Sequence, residues 1–202
     1  MSPKQAPLLL VISAPSGAGK SSLCNRLTEH FPQMVYSVSC TTRAPRGGER
    51  DGIHYHFLVE AEFDRRVQRG DFLEHARVHG HRYGTLKQTT AEALARGSDV
   101  IMDIDVQGAQ QIRRACVAMN DRDLIKQSFV DIFIAPPSME ELRRRLCSRA
   151  TDRDDVIELR LRNAAEEMRH QASYQHVVVN DDFEKAVTEL IDIVTREHHK
   201  RW

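Results

Sequence analysis

The sequence predicts an α/β fold in three layers: a central parallel sheet with helices on both faces, and a mainly-β segment inserted between strands. Three observations carry this expectation. Residues 8–23 read LLLVISAPSGAGKSSL, a short apolar run, a loop of small residues and a helix start in direct succession. Apolar runs then alternate with helix-period segments along most of the chain, the pattern of parallel strands joined by right-handed crossovers. Between about 35 and 85 that rhythm breaks and strand-like stretches dominate, which marks an inserted unit. At 202 residues the chain is long enough to bury a full core.

Taken in order, residues 8–12 are a buried strand and 13–19 a loop. Gly17 and Gly19 let its backbone N–H groups turn inward, and the helix that starts at Lys20 adds partial positive charge. Lys20 is placed to bridge phosphates and Ser21 to ligate Mg²⁺. Ala14, Pro15, Ser16, Gly17, Ala18, Gly19, Lys20, Ser21 and Ser22 therefore form a candidate cradle for a nucleoside triphosphate. Ala14 stands where the G-x-x-x-x-G-K-S/T pattern has its first glycine, so the backbone there is expected at ordinary negative φ.

The helix runs over 20–30 and closes at Phe31-Pro32. A strand is expected over 35–40, followed by TTRAPRGGERDG at 41–52, a loop too polar to pack a core and therefore either a solvated surface or an anion site. A strand over 54–59, a helix over 60–69 stopped by Gly70, irregular pieces at 71–78 and 83–84, and a helix over 86–96 follow. Residues 99–105 form a buried strand that brings Asp103 and Asp105 to the sheet edge where ligands bind; for Asp105 both a direct role and simple loop support stay open. A helix over 106–119, a surface excursion at 120–127 and a strand over 129–134 come next. Ser138 and Glu141 form a capping box opening an arginine-laden helix. Residues 151–155 break that helix and cap another over 155–173. A last strand at 177–179 precedes a closing helix with Phe183, Ala186, Val187, Leu190, Ile191 and Val194 on one face, and the basic tail HHKRW is expected to fray with His198 and His199 solvated.

Composition narrows the function classes. Lys plus Arg equals Asp plus Glu at 29 each, which argues against nucleic acid as the main partner. The four cysteines lack C-x-x-C spacing and are expected to be reduced thiols of a cytoplasmic protein. The first apolar run is too short for a signal core, and no stretch approaches the ~20 residues that span a bilayer, so no membrane partner is expected. His54/His56 and His79/His81 are the nearest histidine pairs, but no third ligand follows at a zinc spacing.

A further set of segments names a family. SAPSGAGKSSL (13–23), SVSCTTRAPRGGERDGIHY (37–55), FLEHA (72–76), YGT (83–85), DIDVQGAQQI (103–112) and RLCSRATDRDDVIELRL (145–161) resemble, in this order, the motifs of bacterial-type guanylate kinases. The resemblance spans about 8–189. It implies a P-loop NTPase fold comprising a core (1–34, 86–137, 174–202), a GMP-binding subdomain (35–85) and a helical lid (138–173). It implies ATP and GMP as substrates with Mg²⁺, and it is compatible with a homo-oligomer. Glu74, with Ser39, Thr85 and Asp103, falls at the guanine; Arg43, Arg46, Tyr55 and Tyr83 at the acceptor phosphate, with Glu49 supporting the arginine loop. Asp103 also falls at the metal, through water. Lys20, Arg43 and the lid arginines Arg149 and Arg160 fall at the transferring group, and Arg145 and Asn180 flank the adenine. Ala150 departs from the glycine expected after the lid arginine. The rival reading is an inactive guanylate-kinase-like module that binds a phosphoprotein; such modules have degraded phosphate loops, whereas Lys20 and Ser21 are both present here. A kinase for another nucleoside monophosphate is opposed by Glu74, Ser39 and the arginine loop together.

Overall fold

The computed structural model describes residues 6–78, 80–148 and 154–201. Residues 1–5, His79, Arg149, Ala150, residues 151–153 of the break expected at 151–155, and Trp202 lie outside the described residues.

β1 (Leu9–Ser13) is buried at every position, because a strand of Leu, Val and Ile can be covered on both faces. It sits at the centre of a five-stranded parallel sheet in the order β2 (Val35–Tyr36), β7 (Val100–Asp103), β1, β8 (Phe129–Ala135), β9 (His176–Val179). Its alternate residues point into two separate cores. Leu8, Leu10 and Ile12 pack with α1 (Lys20–His30) and α8 (Phe183–Lys200), whereas Leu9 and Val11 pack with α3 (Lys87–Ala95) and α4 (Val106–Ala118). Each fully buried Leu or Ile contributes about 1.5–3 kcal/mol, so this strand alone anchors both layers.

The inserted stretch forms a second sheet, in the order β4 (His56–Phe57), β3 (Cys40–Thr41), β6 (His81–Leu86), β5 (Phe72–Val78). Two expectations are corrected here. The pieces at 71–78 and 83–84 are not irregular: β5 and β6 make an antiparallel hairpin with a register shift between Phe72 and Glu74. Their alternation is hidden because Glu74, Tyr83 and Thr85 are polar where the sheet lines a cleft. The strand expected over 35–40 is in fact divided between the two sheets, with Ser37–Ser39 passing from one to the other. The strand expected over 54–59 shortens to two residues. α2 (Glu60–Arg69) ends on Gly70 in the left-handed conformation at φ 70°, as the chain reading required.

The excursion at 120–127 contains a short helix, α5 (Leu124–Ser128), capped by the Asp123 carboxylate on the Ile125 N–H and held by the buried Ile125. α6 (Met139–Ser148) and α7 (Asp154–Met168) pack through a small core of their own: Leu142, Leu146, Ile157, Leu161 and Ala164. Only half of the capping box forms. The Ser138 hydroxyl accepts the Glu141 N–H at 3.0 Å, but the Glu141 carboxylate is taken by Arg144 and Arg145.

The tail is not frayed at His198, which is 5 % exposed inside α8. Its Nδ1 faces the Ala6 carbonyl at 3.1 Å and its Nε2 the Asp99 carboxylate at 3.1 Å, and Asp99 also accepts the Leu8 N–H at 2.9 Å. Both ring nitrogens face acceptors, so the charged imidazolium is favoured and Asp99 raises the His198 pKa against the opposing effect of burial. A raised folded-state pKa gives stability that is full below the unfolded value and lost as pH rises through the folded one. The thermal midpoint of the native protein should therefore exceed that of His198→Gln at pH 6, and the two should converge by pH 9; a gap constant with pH would contradict the charged pair.

Candidate active site

The loop expected to cradle phosphate is built as its residues require. Gly17 and Gly19 stand at φ 93° and 92°, and the Ala18 N–H closes a turn on the Pro15 carbonyl at 3.0 Å. Space as well as conformation demands these glycines. A Cβ on Gly19 would overlap the Asn180 amide, which donates to the Ala18 carbonyl at 2.7 Å. A Cβ on Gly17 would come within 2.9 Å of Leu146 and 3.1 Å of Leu142, so α6 rests directly on the loop.

Because β1 and β7 run parallel with Ile12 opposite Asp103, the loop after one and the carboxylates ending the other meet. The Lys20 ammonium pairs with Asp103 and donates to the Ile104 carbonyl at 3.0 Å. The Ser21 hydroxyl lies 3.4 Å from the other Asp103 oxygen. A hydroxyl and a carboxylate side by side are hard oxygen donors of the kind Mg²⁺ takes.

Across the cleft, Lys20, Ser39, Tyr55, Glu74, Tyr83 and Asp103 line one cavity of about 240 Å³. Glu74 is 6 % exposed, and it accepts a hydrogen bond from the Thr85 hydroxyl at 2.8 Å, itself 3.5 Å from the Ser39 hydroxyl. Burial pushes the Glu74 carboxyl up to about 7, with the Asp105 charge adding to the effect and Thr85 opposing it. Gly108 permits this placement, since a Cβ there would sit 2.9 Å from a Glu74 oxygen.

The arginine loop is a set piece. Arg43 is buried and gives both guanidinium nitrogens to Glu49 at 3.0 and 2.9 Å, with a third bond to the Ala44 carbonyl at 2.9 Å. Its guanidinium lies 5.4 Å from the centre of the Tyr55 ring, and Tyr83 also faces it. Glu49 further accepts the Arg46 N–H at 2.7 Å, leaving the Arg46 side chain exposed. These bonds, Arg43 first, hold the Glu49 carboxyl down at about 2 and raise the Arg43 pKa.

Of the remaining expected residues, Arg145 sits on α6 with its Nε on Glu141 at 2.8 Å, and Arg160 is half-buried on α7. Asn180 is buried beneath the cradle with its amide on the loop backbone. Asp105 caps α4 by accepting the Gly108 N–H at 2.8 Å, which gives it a supporting role. Sequence reasoning missed Gln111. Its amide brackets the backbone of His75, accepting the N–H at 3.1 Å and donating to the carbonyl at 2.9 Å, and so fixes the strand carrying Glu74. No sequence signal marked it, since its neighbours on the helix face are Gln107, Gly108, Arg114 and Ala115, a mixed set.

The family model described as guanylate kinase matches residues 6–197. A guanylate kinase of Myxococcus xanthus is 49 % identical over 195 residues, covering 96 % of this chain and 88 % of that protein. One from Syntrophotalea carbinolica is 47 % identical over 194 residues, with 96 % and 88 % covered. The crystal structure of guanylate kinase from Anaplasma phagocytophilum superposes with a TM-score of 0.71 at 34 % identity, covering 96 % of this chain and 88 % of that one.

Gly19→Ala should destabilise the protein by at least about 1–2 kcal/mol from the left-handed backbone alone and weaken ATP binding in a calorimetric titration. Gly47→Ala, where nothing lies within 4 Å of the added carbon, is the matched comparison and should leave both unchanged.

Proposed function

This chain belongs to the guanylate kinase family and transfers a phosphoryl group from ATP to GMP, giving ADP and GDP; from that premise we propose how its own residues divide the work. The observation that carries the division is the buried Glu74 carboxyl, which faces a cavity shared with Lys20 and Asp103. Guanine presents N1–H and its exocyclic amino group side by side. Glu74 accepts both, with Ser39, Thr85 and Asp103 completing the base site, and a base lacking those donors would leave a buried carboxylate unpaired.

Arg43, Arg46, Tyr55 and Tyr83 bind the acceptor phosphate. The Arg43–Glu49 fork fixes one edge of the guanidinium so that the rest is presented without loss of side-chain freedom on binding. Ala14, Pro15, Ser16, Gly17, Ala18, Gly19, Lys20, Ser21 and Ser22 hold the donor phosphates, and Arg145 and Asn180 the adenosine side. Ser21, with Asp103 through water, would hold Mg²⁺, which when bound neutralises charge on the phosphates. No general base is needed, since a phosphate monoester with its second pKa near 6 is already a nucleophile at neutral pH. Catalysis is then alignment and charge neutralisation by Lys20, Arg43, Arg149 and Arg160. The subdomain 35–85 and the lid 138–173 close over the core 1–34, 86–137 and 174–202 to exclude water. Reduced thiols support a cytoplasmic setting; Cys24, Cys40, Cys116 and Cys147 are all free. No helix among the described residues is long and apolar enough to cross a membrane.

With ATP and Mg²⁺ offered to GMP, AMP, UMP and CMP in parallel, ADP release should follow GMP alone, and Lys20→Ala or Arg43→Ala should lower kcat/KM by at least about 100-fold. Normal turnover by both variants would overturn the site. The guanine reading has its own test. Glu74 must be ionised to accept two donors, so the KM for GMP should fall as pH rises from 6 to 8, by about tenfold from this group. Glu74→Gln should keep only the pH dependence of the GMP phosphate; an unchanged profile would remove Glu74 from the base site.

A further inference from the structure

Between α4 and α7 lies a second cavity, of about 330 Å³, which shares Asp105 with the cavity around Glu74 and otherwise has a lining of its own. From α4 it is lined by Val106, Gln107 and Gln110, with Asp105 just ahead of the helix; from α7 and its end by Asn163, Glu167 and His170. One hydrogen bond already spans it, Gln110 Nε2 to His170 Nδ1 at 2.9 Å, so the end of α7 is tethered to α4.

The placement of Glu167 on α7 is specific. It lies seven residues after Arg160, which in an α-helix brings it within about 20° of the same face, two turns closer to the tether. Ile157, Leu161 and Ala164 form the neighbouring stripe and are buried against α6. α7 thus presents Arg160, Asn163 and Glu167 along one line beside its packed seam. Glu167 is half-buried and lines the cavity on the side opposite Gln107 and Gln110. Burial, then Asp105, raises its pKa, with Lys20 opposing. A carboxylate so placed gains by taking donors, and the opposite wall supplies amides: the side chains of Gln107 and Gln110 and the first-turn N–H groups of α4 that Asp105 does not cap.

We propose that Glu167 is the positioning residue for Arg160: taking donors from the α4 wall of this cavity as the lid closes, it fixes the azimuth and height of α7 and so the point at which Arg160 meets the transferring phosphoryl group. This rests on the reading of Arg160 as a lid arginine. That wall is a fixed distance from the cradle, because α4 is capped by Asp105 in the same segment whose Asp103 pairs with Lys20. Glu167 itself touches no reacting atom. Its loss misplaces Arg160, and an error of an ångström in such a group is enough to slow chemistry by one to two powers of ten.

The test is a double-mutant cycle on the full-length protein. Glu167→Ala should lower kcat by about 10–30-fold with the KM values for ATP and GMP within about threefold, because it acts on alignment and not on binding. Glu167→Gln, which keeps an acceptor oxygen, should recover kcat to within about threefold of the native protein. In an Arg160→Ala background, Glu167→Ala should cost no more than about a further twofold. Thermal midpoints of all variants are measured alongside, and Glu167→Gln keeps the question open to an answer if Glu167→Ala folds poorly. An unchanged kcat in Glu167→Ala, or an equal loss in both backgrounds, overturns the positioning role while leaving the Arg160 reading intact. An Arg160→Ala variant with native kcat overturns that reading, and the inference falls with it.

Discussion

The pairing of Lys20 with Asp103 is the contact on which the rest of the site depends. It joins the first residue of α1 to the last residue of β7, and it exists because β1 and β7 are parallel neighbours whose ends finish level. A shift of one residue in that pairing would turn Asp103 to the other face of the sheet and separate the two. Asp103 also meets Ser21 and lines the cavity that holds Glu74, so a single carboxylate borders the Lys20–Ser21 loop and the Glu74 cavity at once. These two parts of the site are therefore brought into register by strand pairing in the core.

The parts built on local chemistry were legible in the chain. The loop glycines, the bounds of α1 and α2, the Gly70 stop and the buried run of β1 follow from short-range rules, and the structure places Lys20, Ser39, Tyr55, Glu74, Tyr83 and Asp103 around one cavity. What was hidden depends on partners far away in sequence. The β5–β6 hairpin carries polar residues on its cleft face, so its period of two is masked. His198 reads as part of a basic tail until Asp99, a hundred residues earlier, is seen to hold it. Gln111 has no motif of its own, and its purpose appears only when His75 is opposite. The family motifs supplied the roles of Glu74 and the arginine loop; periodicity and composition alone would have stopped at a nucleoside triphosphate.

Packing sets the second sheet and the α6–α7 pair apart from the core. The two large clusters belong to the central sheet, whereas α6 and α7 share five buried residues and the second sheet gathers around Cys40, Phe63 and Phe72. Small clusters of this kind define units that open at lower free energy than the core. Their contacts with the core are correspondingly specific: Leu142 and Leu146 against the bare backbone of Gly17, and Gln111 against the backbone of His75.

The burial of Glu74 reaches beyond recognition. A carboxyl whose folded-state pKa is about 7 contributes stability that is complete below its unfolded value, near 4.5, and lost as pH rises toward 7. By neutral pH this carboxyl holds the fold back by up to about 3 kcal/mol, a large share of the reserve of a domain this size. On the proposed reading of Glu74, a bound guanine donates to that carboxylate and returns the reserve by mass action. Recognition and the persistence of the fold would then be coupled through one group, because a chain that opens less often meets proteases less often.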